Sequence, residues 1–315
     1  MTAYHHGKSG MARRAFLAAG GAAVLLSAAA RAAPYAASRT PLDGFIDAQR
    51  VSAGIPGMAV GYARDGVVRF ARGYGFADIA LKRPVTADTM FHIASVTKTV
   101  TATMILRLAE QGRLKLDETV APYLDFPLVH PHRPDAAITF RHLLMHASGI
   151  SDARYYAIDF RTPGKAAALP LGSFLKDYLA PGGRYYAADG CFSRAVSGAA
   201  WDYSNVGFAL LGYVAGRIGG DMREQSRRQI FAPLGMAHTD WSLGDVPQAL
   251  RETPYDGVDG VLTPIAPDGF PDWPAGLMRS SVADFARFVA ASANGGDRRG
   301  HARSRRRPPW RRCWR

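Results

Sequence analysis

Residues 91–124 read FHIASVTKTVTATMILRLAEQGRLKLDETVAPYL, and they contain the clearest helical pattern of the chain. Apolar residues recur at helical spacing from Val96 to Gln111, and Gly112 follows. This pattern predicts a helix that ends at the glycine. Near its start lie Ser95 and Lys98, and positions i and i+3 share one face of a helix. The lysine amine is therefore predicted to lie beside the serine hydroxyl.

A serine and a lysine at this spacing can carry nucleophilic chemistry. The amino end of a helix favours negative charge on the serine oxygen, and a neutral amine can accept the hydroxyl proton. Such a lysine belongs in a closed site, because burial disfavours the charged amine. Ser173 and Lys176 have the same spacing. Since serine and lysine are common on protein surfaces, we expect this second pair to lie exposed on a helix.

A second motif adds two more candidate residues. Tyr203 and Asn205 form the only Tyr-x-Asn of the sequence, just ahead of a predicted helix at 206–218. A tyrosine in such a place can relay protons, and an asparagine can bind a substrate amide or carbonyl. Together with Ser95 and Lys98 they make up the candidate site.

Four segments, in this order, resemble the serine β-lactamase and penicillin-binding protein superfamily, in particular its class C β-lactamase-like serine hydrolases. They are residues 91–124, ITFRHLLMHASGI at 138–150, WDYSNVGFALLGYVAGRIGG at 201–220 and IFAPLGMAHT at 230–239. The resemblance implies a mixed α/β (α+β) fold of the β-lactamase/transpeptidase type. An antiparallel sheet flanked by helices and a mainly helical lobe are the expected parts.

The resemblance also implies a role for each candidate residue. Ser95 is the expected acylated nucleophile, and Lys98 is its activating partner. Tyr203 is the expected proton relay to the leaving group and to the deacylating water, and Asn205 the expected substrate binder. No cofactor and no metal are implied. A tyrosine at 203, where class A enzymes have a serine, favours the class C-like branch.

One feature of the family has no counterpart in the sequence. The family carries a third motif on a late strand, in which Lys or His is followed by Thr or Ser and then Gly, and which supplies an oxyanion-hole amide. His301-Ala302-Arg303 lacks both the hydroxyl and the glycine. We therefore expect the last strands of the main sheet to be missing, with only the hairpin at 58–74 remaining. A lone hairpin is marginal, so a chain of this kind is expected to be poorly stable or inactive.

Three further elements are predicted from local patterns. Thr40-Pro41-Leu42-Asp43 begins an amphipathic helix whose apolar side contains Leu42, Phe45 and Ile46. Alternating apolar residues on both sides of Asp65-Gly66 predict a hairpin with a two-residue turn. Ser281 is expected to cap a helix that runs to Ala293 and buries Phe285, Phe288 and Val289.

The two ends of the chain differ from its body. Residues 1–32 contain Arg13-Arg14, an uncharged Ala-rich run and the pattern Ala30-Arg31-Ala32, and they resemble a twin-arginine export signal. They predict a periplasmic or secreted protein with no stable membrane insertion after cleavage. Residues 297–315 are Arg-rich without apolar periodicity, and we interpret them as a non-homologous frameshift product. The predicted partial catalytic domain is 33–296.

The formal net charge of +13 does not indicate nucleic-acid binding, because it lies in the ends. Residues 1–40 contribute +5 and residues 297–315 contribute +8, so residues 41–296 have no net charge. Two cysteines, Cys191 and Cys313, exclude a disulfide framework and a four-cysteine zinc site. His130-Pro131-His132 has metal-ligand spacing, but its proline-rich surroundings favour a plain surface loop.

Two classes of function remain open from the sequence. The first is an exported serine hydrolase that forms an acyl-enzyme on Ser95 and acts on a β-lactam, a D-amino acid peptide or a small ester. The alternative is a penicillin-binding or sensor protein, or a catalytically inactive truncated member of the family. A small-molecule substrate is the expected partner, and the oligomeric state is left open. The absence of any Gly-x-Ser-x-Gly argues against an α/β-hydrolase.

Overall fold

The structure is a computed structural model that describes residues 40–293. Its strands are β1 Gly57–Arg64, β2 Val67–Asp78, β3 Arg83–Pro84, β4 Met90–His92, β5 Thr162–Pro163, β6 Thr239–Asp240, β7 Tyr255–Val258, β8 Val261–Pro264, β9 Asp268–Gly269 and β10 Arg279–Ser281. Its α-helices are α1 Pro41–Ser52, α2 Thr97–Glu110, α3 Phe140–Leu144, α4 Ala153–Tyr156, α5 Leu171–Leu179, α6 Ala188–Cys191, α7 Asn205–Gly219, α8 Met222–Ser226, α9 Ala232–Leu234, α10 Trp273–Gly276 and α11 Val282–Ala293. The predicted leader at 1–32 and the Arg-rich segment at 297–315 lie outside the described residues.

The first sheet is built on the predicted hairpin. Strands β1 and β2 pair antiparallel, with Gly61 opposite Ala71, and Asp65 and Gly66 both have positive φ, as a two-residue hairpin turn requires. The expectation of a lone hairpin was wrong, because β2 continues to Asp78 and pairs with β3. Within residues 40–293, the outer edge of β1 has no strand partner.

Helix α11 packs on this sheet through small residues. A Cβ at Gly61 would lie 2.7 Å from Cγ2 of Val282, so the glycine permits the close approach. The Ser281 hydroxyl accepts a hydrogen bond from the Asp284 amide at 3.2 Å, which confirms the predicted cap. Phe288 is buried, but Val289 is exposed. The prediction for Val289 was wrong because the buried face of α11 is centred on its alanines.

Helix α1 turns a polar side to the sheet. The Asp43 carboxylate is buried, accepts a hydrogen bond from the Tyr74 hydroxyl at 2.6 Å and pairs with Arg72 at 2.6 Å. Phe45 is 62% exposed and Leu42 is also exposed. The predicted helix is confirmed, but its expected apolar face was wrong, because the buried Asp43 contacts set its orientation.

A second sheet contains strand β4, which ends three residues before the candidate Ser95. Strand β10 lies between β4 and β6, and all pairings are antiparallel, with Arg279 opposite His92. The Ile93 amide donates to the Met278 carbonyl at 3.0 Å, which extends the contact toward Ser95. These strands of two or three residues are too short to show a pattern in the sequence.

The helical lobe is built around α2, α7 and α10. The side chains of α2 that face inward are fully buried and include Val100, Met104 and Ile105. Thr101 donates its hydroxyl proton to the Pro274 carbonyl at 2.7 Å, and this bond ties α2 to α10. A Cβ at Gly212 of α7 would lie 2.3 Å from Cβ of Pro274, so α7 and α10 cross closely. Within residues 40–293, no helix is both long enough and apolar enough to cross a membrane.

Candidate active site

Ser95 lies in the short 3₁₀ turn Ala94–Val96 that leads into α2. The preceding Ala94 has φ of 45°, a left-handed conformation that is unfavourable for a residue with a Cβ and is concentrated at functional sites. Ser95 is exposed, whereas Lys98, one turn further, is only 6% exposed. The Lys98 ammonium donates to Oγ of Ser95 at 3.2 Å. The predicted Ser–Lys contact is therefore present, with the hydroxyl open to solvent and the amine buried.

The Lys98 ammonium has an acceptor for each of its three protons. Besides Ser95, it donates to Oδ1 of Asn205 at 2.7 Å and to the Ala275 carbonyl at 2.7 Å. A buried ammonium needs such partners, because an unpaired one would lose its hydration without compensation. The three contacts fix the position of the amine.

Tyr203 contacts the same serine from another side. Its hydroxyl donates to Oγ of Ser95 at 2.8 Å, and the Lys98 amine lies 4.8 Å from the centre of its ring. The structure thus brings all four predicted residues together, across 107 residues between Lys98 and Asn205. Lys98 and Tyr203 both donate to Ser95, and either side chain can accept the serine proton after it has lost one of its own.

His146 supports the ring of Tyr203. The two rings stack with centres 4.4 Å apart, and Nδ1 of His146 accepts a hydrogen bond from the Ser204 amide at 3.1 Å. Burial, together with the positive charge of Lys98, lowers the pKa of His146 to about 4. The ring is therefore neutral near neutral pH, with its proton on Nε2. Sequence reasoning gave His146 no catalytic role.

Asp152 holds the beginning of α7. Its carboxylate accepts hydrogen bonds from the Asn205 amide at 2.6 Å, the Ser204 hydroxyl at 2.9 Å and the Val206 amide at 3.2 Å. Burial raises the pKa of Asp152. Asp152 was not identified as a site residue from the sequence, although it lies two residues after the segment 138–150. Its contacts position Asn205 by capping the helix.

A second buried acid lies on the α10 side of the site. Asp272 accepts a hydrogen bond from the Tyr155 hydroxyl at 2.8 Å, and burial raises its pKa while the charge of Lys98 lowers it. The adjacent Tyr156 accepts a hydrogen bond from Nδ2 of Asn205 at 2.9 Å. Neither tyrosine nor Asp272 could be assigned from the sequence, because these contacts join distant segments.

Other candidates lie elsewhere. Ser173 and Lys176 are both exposed on α5, as predicted. No group of three metal-ligating side chains occurs in the part of the chain that the structure describes. The prediction of a plain surface loop was wrong for His130, which is 1% exposed and packs on Phe192 with ring centres 5.2 Å apart.

Comparison with known proteins supports the resemblance. The sequence pattern of one family, described as Beta-lactamase, matches residues 42–314. A putative penicillin-binding protein of Bacillus subtilis (strain 168) is 28% identical over 250 residues, which are 77% of this chain and 56% of that protein. An esterase of Burkholderia gladioli is 37% identical over 112 residues, 35% of this chain and 28% of that protein.

A solved structure has the same fold. The octameric penicillin-binding protein homologue of Pyrococcus abyssi superimposes with a TM-score of 0.64 and 28% identity, over 79% of this chain and 55% of that chain. The chain thus spans little more than half the length of the Bacillus subtilis and Pyrococcus abyssi proteins. The mixed α/β fold inferred from the four sequence segments is confirmed. By its matched sequence and its fold, the chain belongs to the beta-lactamase family.

Proposed function

We propose that this chain is an exported serine hydrolase that works through an acyl-enzyme on Ser95. The observation that carries the proposal is the contact of one exposed serine hydroxyl with both Lys98 and Tyr203, at 3.2 Å and 2.8 Å. A nucleophile touching two groups that can exchange protons is the arrangement that acyl transfer needs. The substrate is a small ester, a β-lactam or a D-amino acid peptide.

The geometry supports a stepwise transfer. The Lys98 ammonium first gives one proton to solvent, and the resulting neutral amine accepts the Ser95 proton while Oγ forms a bond to the substrate carbonyl carbon. The Tyr203 hydroxyl then donates a proton to the leaving group, and the bond to that group breaks. A water next adds to the acyl carbon and gives a proton to Tyr203, and the bond to Oγ of Ser95 breaks. Lys98 returns the proton to Oγ of Ser95, and the acid product leaves.

The test is hydrolysis of nitrophenyl acetate and of nitrocefin by the purified chain. Ser95→Ala is expected to lower turnover by roughly a thousandfold or more. Ser173→Ala is the matched control, because Ser173 also has a lysine three residues later but lies exposed on α5. Mass spectrometry of the quenched reaction should find the acyl group on the peptide that contains Ser95.

The outcomes separate the two functional classes. Turnover that is equal in the wild type and in Ser95→Ala would reject the proposal. A single labelling of Ser95 by a fluorescent penicillin, without turnover of any substrate, would instead favour the binding or sensor protein. Export rests on the features of residues 1–32, and a mature chain that begins after Ala32 in the periplasm or medium would support it.

A further inference from the structure

Tyr156 is a large exposed side chain in direct contact with the candidate site. It ends α4, is 70% exposed, and its hydroxyl accepts the hydrogen bond from Nδ2 of Asn205 at 2.9 Å. Its ring is held edge-on by the ring of Tyr155, with centres 5.5 Å apart and planes at 82°. Tyr155 is itself fixed through its bond to Asp272. An aromatic ring is therefore presented to solvent in a defined position.

The Asn205 amide connects this ring to the catalytic amine. Its Oδ1 accepts from Lys98 and its Nδ2 donates to Tyr156, so the amide lies between the two side chains. Tyr203, in contrast, contacts Ser95 directly. In the proposed mechanism Tyr203 protonates the leaving group, so the leaving group lies on its side of the serine. The side of Asn205 and Tyr156 is then left for the acyl group.

Two exposed apolar side chains lie next to Ser95 in the chain and next to the Tyr203 ring. Val96 follows Ser95 in the chain, and Trp201 lies with its ring centre 6.3 Å from that of Tyr203; both are exposed. Desolvation of the hydroxyl raises the pKa of Tyr156, and the negative charges of Asp152 and Asp272 raise it further. The raised pKa keeps the Tyr156 ring uncharged near neutral pH.

We infer that Tyr156 determines acyl-group specificity, and that its ring forms a subsite for an aromatic acyl group. The inference rests on the proposed function, since it concerns the substrate of the same serine. Aromatic rings gain stability by packing on one another beyond the area that they bury. The hydroxyl keeps its own proton to donate to the acyl chain, because Asn205 is a donor to its oxygen.

The experiment compares nitrophenyl acetate with nitrophenyl phenylacetate. The two esters share one leaving group, so the ratio of their kcat/KM values reports acyl recognition alone. Tyr156→Ala is expected to lower the preference for phenylacetate by roughly three- to tenfold, through a higher KM for that ester. Tyr156→Phe keeps the ring and should keep the ratio. Tyr62→Ala, which removes an exposed tyrosine from β1, is the matched control and should change nothing.

Several outcomes would overturn the inference. An unchanged ratio in Tyr156→Ala, with Ser95-dependent hydrolysis of the acetate intact, would reject the subsite and leave the proposed function standing. A ratio that falls equally in Tyr156→Phe would assign selection to the hydroxyl and reject the ring as its source. If neither ester is hydrolysed in a Ser95-dependent way, the proposed function itself fails and the inference fails with it. Tyr156→Leu, which keeps apolar volume, serves if the alanine variant does not fold.

Discussion

Asp152 is the residue on which the position of the Asn205 amide depends. One carboxylate accepts hydrogen bonds from a hydroxyl and two backbone amides at the beginning of α7. A neutral amide in its place has a single acceptor oxygen and would leave at least one buried donor without a partner. Asn205 would then shift relative to Lys98, and a small displacement of a positioning group is costly for catalysis.

We therefore predict that Asp152→Asn lowers kcat by about a hundredfold and the free energy of unfolding by about 2 kcal/mol. Steady-state kinetics and urea unfolding measure the two effects. Asp159→Asn is the control, because Asp159 is an exposed carboxylate that binds the neighbouring Arg161. A variant at 152 that behaved like the one at 159 would contradict the role given to Asp152.

His146 gives the molecule an acid-sensitive contact. Its pKa is about 4 in the folded chain and 6.5 as a free side chain, so the unfolded chain binds a proton more readily. The contribution of this residue to stability is complete above about pH 6.5 and is lost as the pH falls toward about 4. Each pKa unit of difference corresponds to about 1.4 kcal/mol.

The expected result is a smaller acid-induced loss of stability in His146→Asn, which can still accept the Ser204 hydrogen bond through its side-chain oxygen. Urea unfolding at several pH values between 6.5 and 4 measures this. His92 and His130 also have lowered pKa values because they are buried, and they remain in both proteins. Equal slopes for wild type and variant would exclude His146 as a source of the effect.

At the scale of elements, α1 shows how a buried charge overrides an apolar pattern. Removal of the Asp43 carboxylate would break its buried ion pair with Arg72 and its hydrogen bond from the Tyr74 hydroxyl. Phe45, in contrast, is mostly exposed and loses little contact when it is replaced. We predict that Asp43→Ala lowers the free energy of unfolding by about 3 kcal/mol. Phe45→Ser should change it by less than about 0.5 kcal/mol. Thermal unfolding of both variants checks the orientation of the helix, and the reverse order of effects would contradict it.

The hairpin and helix α2 could be predicted because each is specified by residues within its own stretch of sequence. Asp65-Gly66 specifies the hairpin turn, and the helical spacing after Ser95 specifies α2. The short strands β4, β6 and β10 could not be predicted, because two or three residues carry no period. The four candidate residues were identified from the Ser-x-x-Lys and Tyr-x-Asn motifs, and the family resemblance supplied their expected roles. Asp152 and Tyr156 were not, because their roles come from contacts about fifty residues away in the chain.

At the scale of the whole molecule, the outer edge of β1, which has no strand partner among residues 40–293, bears on how copies associate in solution. Its residues Gly57–Arg64 contain one charge, at the last position, and within residues 40–293 only β2 pairs with the strand. An unpaired edge with little charge favours pairing between copies.

We predict concentration-dependent self-association, measured by sedimentation velocity. Tyr62→Lys places a charge on the half-exposed part of β1 and should reduce it. Leu81→Lys adds the same charge at an exposed position between β2 and β3, and should have little effect. Association that both variants reduce equally would indicate a general charge effect and not the strand edge.

The Lys98 ammonium is held by hydrogen bonds to three separate segments of the chain. Its three acceptors come from the turn before α2, from the beginning of α7 and from α10, which are far apart in the chain. Loosening of any one segment releases the amine while most of the secondary structure persists. Turnover should therefore respond to local opening before circular dichroism does. We expect turnover to be lost at a lower urea concentration than the helical circular dichroism signal.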